Sequence, residues 1–68
     1  MYKNLRAELV RNNITNIDVA KTLGITPGTV SLKLNGKAHI SMKQAFAIQD
    51  LIYEKSGNKI PLENLFKA

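Results

Sequence analysis

Sixty-eight residues with no cysteine, a single histidine and a formal net charge of +5 describe one small basic domain. Without cysteine there are no disulfides or thiolate metal sites, and His39 alone cannot build a zinc site. No apolar run approaches the roughly 20 residues of a membrane span, and the opening Met1-Tyr2-Lys3-Asn4 has no apolar core behind it to make a signal peptide. A cytoplasmic protein with no cofactor, no metal and no membrane partner is expected, and stability must come from helix packing, with dimerisation as a further support.

A first helix is predicted over about residues 2–12, where Leu5 and Leu9 form an i, i+4 apolar stripe with Val10 at its edge and Arg6 and Arg11 off it. Asn12-Asn13 ends it, because asparagine tolerates the left-handed turn that closes helices. Ile14 is expected to plug the core between helices. Thr15 reads as an N-cap with Asp18 as a shortened capping box, opening a second helix over about residues 16–23 with Val19 and Leu23 inward. Thr26 caps a third helix, Pro27 takes its first position, and Asn35-Gly36 stops it after Leu34. Residues 37–40 form a loop. Ser41 with Gln44 makes another capping box and opens the longest helix, to about Glu54, with Ala45, Ile48 and either Leu51 or Ile52 inward and Phe46 and Tyr53 flanking. A turn over residues 55–59 surrounds Gly57, and Pro61 opens a short helix over residues 62–66. Five helices, no strand and short connections predict a compact all-α bundle, with residues 1–68 as a single domain.

The charge is unevenly placed. Residues 1–47 hold seven cations against two anions, whereas beyond them Lys55, Lys59 and Lys67 cancel Asp50, Glu54 and Glu63. A basic half of this kind suits a polyanion partner, most simply nucleic acid, although a solvated lysine-rich surface has the same composition.

The most specific stretch is NIDVAKTLGITPGTVSLKLNGK, residues 16–37. Two helices that cross steeply need a small residue at the crossing, a turn residue free to take positive φ, and apolar side chains that lock the angle. Ala20, Gly24, Ile25 and Val30 meet these needs in register, with Thr26-Pro27 as the cap between, so a helix-turn-helix is expected at about residues 16–35. The stretch resembles the Xre-type helix-turn-helix of bacteriophage repressor and Cro-like proteins, above all small regulators of phages of Gram-positive bacteria. The likeness extends to the Asn4-Leu5-Arg6 of the first helix and the closing Leu62-Glu63-Asn64-Leu65-Phe66. It implies a five-helix, lambda-repressor-like DNA-binding domain. Three positions depart from the family pattern: Asn16 stands where glutamine is common, Pro27 and Gly28 lack the usual side-chain donors, and Lys33 replaces a core aliphatic residue.

On the third helix Val30 and Leu34 are expected inward, which leaves Pro27, Gly28, Thr29, Ser31 and Leu32 as candidate DNA base contacts. Gly28 offers close backbone approach, Thr29 and Ser31 offer hydroxyls, and an exposed Leu32 would meet a thymine methyl. Ser31 bonded back to its own helix and Leu32 in the core are the competing structural readings. Asn16, Thr26, Lys33, Asn35 and Lys37 are the candidate phosphate contacts, Lys33 packing its stem while its amine reaches outward. Lys21, Lys43 and His39 are rim candidates. Arg6, Arg11 and the N-terminal amine are a candidate additional arm. Leu62, Leu65 and Phe66 either close the core or form a dimer contact.

The expected function is a sequence-specific, double-stranded-DNA-binding transcriptional regulator, a repressor or Cro-like protein that occludes a promoter operator as a homodimer. With no second domain for an inducer, its regulation is expected to come from concentration or a partner. The alternative is an antirepressor of the same fold that binds the DNA-reading face of a partner repressor. An enzyme is not expected: the sequence holds no nucleophile–base pair, no paired buried carboxylates and no lysine-bearing phosphate loop.

Overall fold

Three helices of this chain begin where a side chain satisfies orphan backbone groups. A computed structural model describes residues 2–67. It holds five helices in order: α1 (Lys3–Arg11), α2 (Asn16–Leu23), α3 (Pro27–Leu34), α4 (Met42–Ser56) and α5 (Leu62–Leu65), with no strand among the described residues.

Three helix starts use the expected caps. Thr15 and Asp18 form a reciprocal capping box, the Asp18 N–H donating to Thr15 Oγ1 at 3.2 Å and the Thr15 N–H to Asp18 Oδ2 at 2.9 Å. Ser41 and Gln44 do the same at α4. Thr26 Oγ1 accepts the Thr29 N–H at 3.3 Å, with Pro27 following as the first residue of α3. Such caps are worth about 0.5–2 kcal/mol each.

The first three helices close alike, through a residue in the left-handed region. Asn13 stands at φ 57°, Gly24 at 71° and Gly36 at 75°. In each case the next N–H folds back to a carbonyl five residues earlier: Ile14 to Leu9 at 2.8 Å, Ile25 to Ala20 at 3.0 Å and Lys37 to Leu32 at 2.9 Å. This is the Schellman closure, and it reverses the chain in few residues.

α2 packs on both α3 and α4, while α5 packs on α4 and α1. Leu5, Leu9, Ile14, Val19, Ala20, Val30, Leu34, Ile48, Leu51, Ile52 and Leu65 make one buried cluster. The radius of gyration, 10.6 Å, matches the roughly 11 Å of a folded chain of this length. Gln49, the one buried polar side chain among the described residues, donates from Nε2 to the Ile60 carbonyl at 2.7 Å and so ties α4 to the segment before α5. Asn4 Nδ2 donates to the Asn64 carbonyl at 2.9 Å and ties α1 to α5.

Four expectations change. Leu51 and Ile52 are both buried, because α4 meets α2 on one flank and α5 on the other. α4 runs past Glu54 to Ser56, whose hydroxyl donates to the Ile52 carbonyl at 2.8 Å before Gly57 closes the helix at φ 76°. α5 ends at Leu65, with Phe66 as its closing residue. Val10 is 77% exposed and stands clear of the apolar stripe of Leu5 and Leu9.

Gly24→Ala forces a side chain into the left-handed region and is expected to cost about 1 kcal/mol, seen as a lower denaturant midpoint with an unchanged slope; an unchanged midpoint would mean that the turn had moved. The Asp18 carboxylate is held below its ordinary pKa, first by the Thr15 backbone N–H and then by the Thr15 hydroxyl. A depressed folded-state pKa adds stability above the unfolded value, and that stability is lost as pH falls through the folded value. Asp18→Asn is therefore expected to flatten the acid limb of the stability–pH curve while changing the neutral-pH slope little.

Candidate nucleic-acid interface

α3 buries Val30 and Leu34 against the cluster, and helical spacing then turns Gly28, Leu32 and Asn35 outward in one row. Leu32 is 48% exposed, so it is a surface residue and not part of the core. Pro27 and Gly28 are fully on the surface, and Thr29 is half-buried beside them.

The first turn of α3 has little donor capacity to spare. Pro27 has no N–H, the Thr29 N–H is spent on Thr26, and the Val30 N–H donates to the Thr26 carbonyl at 3.1 Å. The Gly28 N–H is the amide of this turn without a partner among the described residues. A Cβ placed on Gly28 meets no heavy atom within 4 Å, so the space on the side-chain side of this residue is open. The Thr26 and Thr29 hydroxyls lie 2.9 Å apart and bond to one another. One hydroxyl proton satisfies that bond and the other remains free to donate outward. Thr26 and Thr29 therefore act as a coupled pair and not as two independent contacts.

A second set of polar groups gathers behind α3. Arg6, Asn16, Ser31 and Asn35 line a solvent-open notch between α1, the start of α2 and α3. Arg6 Nη1 donates to Asn35 Oδ1 at 3.0 Å, which leaves the Asn35 amide N–H groups and the rest of the guanidinium free to donate. Asn16 is the first residue of α2, where a helix presents unpaired N–H groups and the positive end of its dipole. Ser31 makes no side-chain hydrogen bond among the described residues, so it does not bond back to its own helix. The notch measures about 140 Å³, below the roughly 300–1,000 Å³ of small-molecule sites. Leu9, Val10, Ile14 and Leu34 add apolar walls, and the donors beside them suit an anion such as a phosphate group.

The lysines divide. Lys33 turns its ammonium to the His39 carbonyl, so it steadies the loop between α3 and α4 and has one N–H fewer to offer a ligand, with its charge intact. Lys37 is exposed at the close of α3. Arg11 pairs with Glu8 at 2.7 Å on its own helix, away from the notch. The N-terminal amine lies outside the described residues. Of the proposed arm, Arg6 alone joins the site. Its partner is 29 positions away, which no local pattern announces. Comparison with family models, curated proteins and solved structures returned no match. The site therefore rests on its geometry.

On α5 Leu65 is fully buried, while Leu62 and the closing residue Phe66 are half-buried and Phe66 meets Tyr2 edge to face with ring centroids 5.5 Å apart. Leu65 is thus core, and the other two keep apolar surface exposed.

Gly28→Ala separates the roles of this turn. The added methyl meets nothing in the free protein, and alanine is the better helix former by up to about 1 kcal/mol. Its folding stability is expected to hold or rise, whereas affinity for a ligand seated on the Gly28 amide falls about tenfold or more. Equal affinity in a titration of the two proteins would remove Gly28 from the interface.

Proposed function

We propose that the chain is a sequence-specific, double-stranded-DNA-binding transcriptional regulator, a repressor or Cro-like protein in which α2 and α3 serve as a helix-turn-helix. The observation that carries this reading is the placement of the donors Arg6, Asn16, Ser31 and Asn35 around one notch beside the exposed row of α3. In this reading α3 enters the major groove while the notch seats a backbone phosphate, fixing register before bases are read. The Gly28 N–H, the free hydroxyl proton of the Thr26–Thr29 pair and the methyls of Leu32 then meet base edges. Lys37 and the remaining surface cations add non-specific attraction, in keeping with seven cations against two anions in residues 1–47.

Recognition helices of a two-fold dimer lie roughly 34 Å apart, and the longest dimension of this chain is 27 Å. One copy therefore reads one half-site, and a palindromic operator requires two. Occupancy by the dimer denies the promoter to polymerase.

A second reading has its own support. Val10 and Ile17, 77% and 56% exposed, join Leu32 as surface methyls that a phosphate backbone does not reward. An antirepressor would use them against the DNA-reading face of a partner repressor.

Selection from a random duplex library at low salt is expected to enrich palindromes whose half-site centres lie about 10–10.5 bp, or a multiple, apart. With two copies each using Arg6 and Lys37, log affinity should fall with log salt at a slope of about −3 to −4. No enriched duplex, together with recovery of a DNA-binding protein from the source lysate, would favour the antirepressor reading.

A further inference from the structure

Asn35 and Gly36 close α3, and both are exposed. Of the seven asparagines in the chain, Asn35 is the one followed by glycine; the others precede Leu, Asn, Ile or Lys. A side chain on the following residue crowds any approach of its nitrogen to the asparagine amide. Glycine has none, so the Gly36 nitrogen has an open path to the Asn35 side chain. Asn35 Oδ1 also accepts from Arg6 Nη1 at 3.0 Å. A guanidinium at that distance draws electron density from Cγ and stands where it stabilises negative charge developing on Oδ1. One bond holds the reaction back: the Gly36 N–H donates to the Lys33 carbonyl at 3.1 Å. That bond lies at the end of a helix, where opening costs little.

We infer that Asn35 is a self-modification site, converted to aspartate by attack of the Gly36 nitrogen, and that this conversion switches the α3 surface off. Freed from Lys33, the Gly36 nitrogen gives up its proton and bonds to Asn35 Cγ. The Cγ–Nδ2 bond breaks, ammonia leaves with that proton, and a five-membered imide joins the two residues. Water then adds to either imide carbonyl and opens the ring to aspartate, linked onward through its α- or its β-carboxyl. Both products put a carboxylate at a position that was neutral. In the α-linked product it forms a charge-assisted bond with Arg6. The guanidinium is thereby withdrawn from the notch, the Asn35 N–H donors are lost, and a negative charge faces the ligand. The β-linked product adds a methylene to the backbone inside the closure over Gly36, where the Lys37 N–H reaches the Leu32 carbonyl at 2.9 Å. Position 35 is exposed, so neither product disturbs the buried cluster. The consequence rests on the proposed DNA-binding function, but the reaction itself needs no DNA.

The test ages the purified full chain in warm, mildly alkaline buffer and follows it by intact mass, peptide mapping and titration with a duplex from the library selection. The small mass gain of exchanging an amino group for a hydroxyl is expected at Asn35 ahead of every other asparagine. It should quicken as pH rises, because the attacking nitrogen must lose its proton. Asn35→Gln, which would have to close a six-membered ring, should keep its starting mass over the same time. Arg6→Gln, at an unchanged helical circular dichroism spectrum, should gain mass several-fold more slowly. The aged chain, separated by its charge, and the Asn35→Asp variant should keep the helical spectrum. Both should bind the duplex at least about tenfold more weakly than fresh chain, as a phosphate contact becomes a repulsion. A mass gain no faster at Asn35 than elsewhere, an Arg6→Gln rate equal to that of the wild type, or an aged chain that binds as tightly as the fresh one would each overturn the inference. Fresh chain that binds no duplex while the mass gain still falls on Asn35 would remove the DNA reading and leave the chemistry standing; fresh and aged chain that bind duplex equally would do the reverse.

Discussion

The bond from the Ile25 N–H to the Ala20 carbonyl, closed over Gly24 at φ 71°, fixes the direction in which the chain leaves α2. Everything at the candidate interface follows from that direction. Ala20 is buried at the turn, Val30 is buried opposite it, and Ile25 packs partly against the same cluster. With Val30 and Leu34 held inward, the row of Gly28, Leu32 and Asn35 can only face water. A residue that resisted positive φ at position 24 would strain this closure and with it the presentation of α3.

The polar groups near that row divide into those used within the chain and those left over. Thr15, Asp18, Thr26 and Thr29 satisfy helix ends, Lys33 steadies the loop at His39, and Arg11 is paired with Glu8. What remains unpaired is concentrated: the Gly28 N–H, one hydroxyl proton of the threonine pair, Ser31, and the outward donors of Arg6 and Asn35. The remainder is donor-rich and lies in the half of the chain with surplus positive charge. Donors in excess of acceptors, in the half of the chain with surplus positive charge, are what a polyanion needs. A separate groove between the start of α4 and α5 is walled by Tyr2, Ile40, Met42, Leu62 and Phe66, with His39 and Glu63 at its rim.

Helix starts and stops were legible in the sequence because their causes are local. Thr15 with Asp18, Thr26 with Pro27, Ser41 with Gln44, and Asn13, Gly24 and Gly36 at the closures all act within a few residues of themselves. The extension of α4 to Ser56 was hidden because Lys55 and Ser56 are polar and show no apolar period, while the actual stop is Gly57. The placement of Arg6 beside Asn35 was hidden for another reason: it depends on how α1 lies against α3, which is a property of packing. Lys33 shows the same limit, since its position on α3 was readable but the carbonyl that receives its ammonium belongs to a loop. Val10 was misplaced because it adjoins Leu9 in sequence, and one step along a helix turns a side chain by about 100°.

The central claim is that the outward row of α3 and the notch behind it meet duplex DNA. Backbone amide chemical shifts, followed by NMR as the enriched duplex is titrated into the protein, test it residue by residue. The account predicts that the largest shifts fall on Arg6, Asn16, Gly28, Leu32 and Asn35, with Phe46 and Tyr53 unmoved. Shifts confined to α4 and α5, or none at all at saturating duplex, would contradict it.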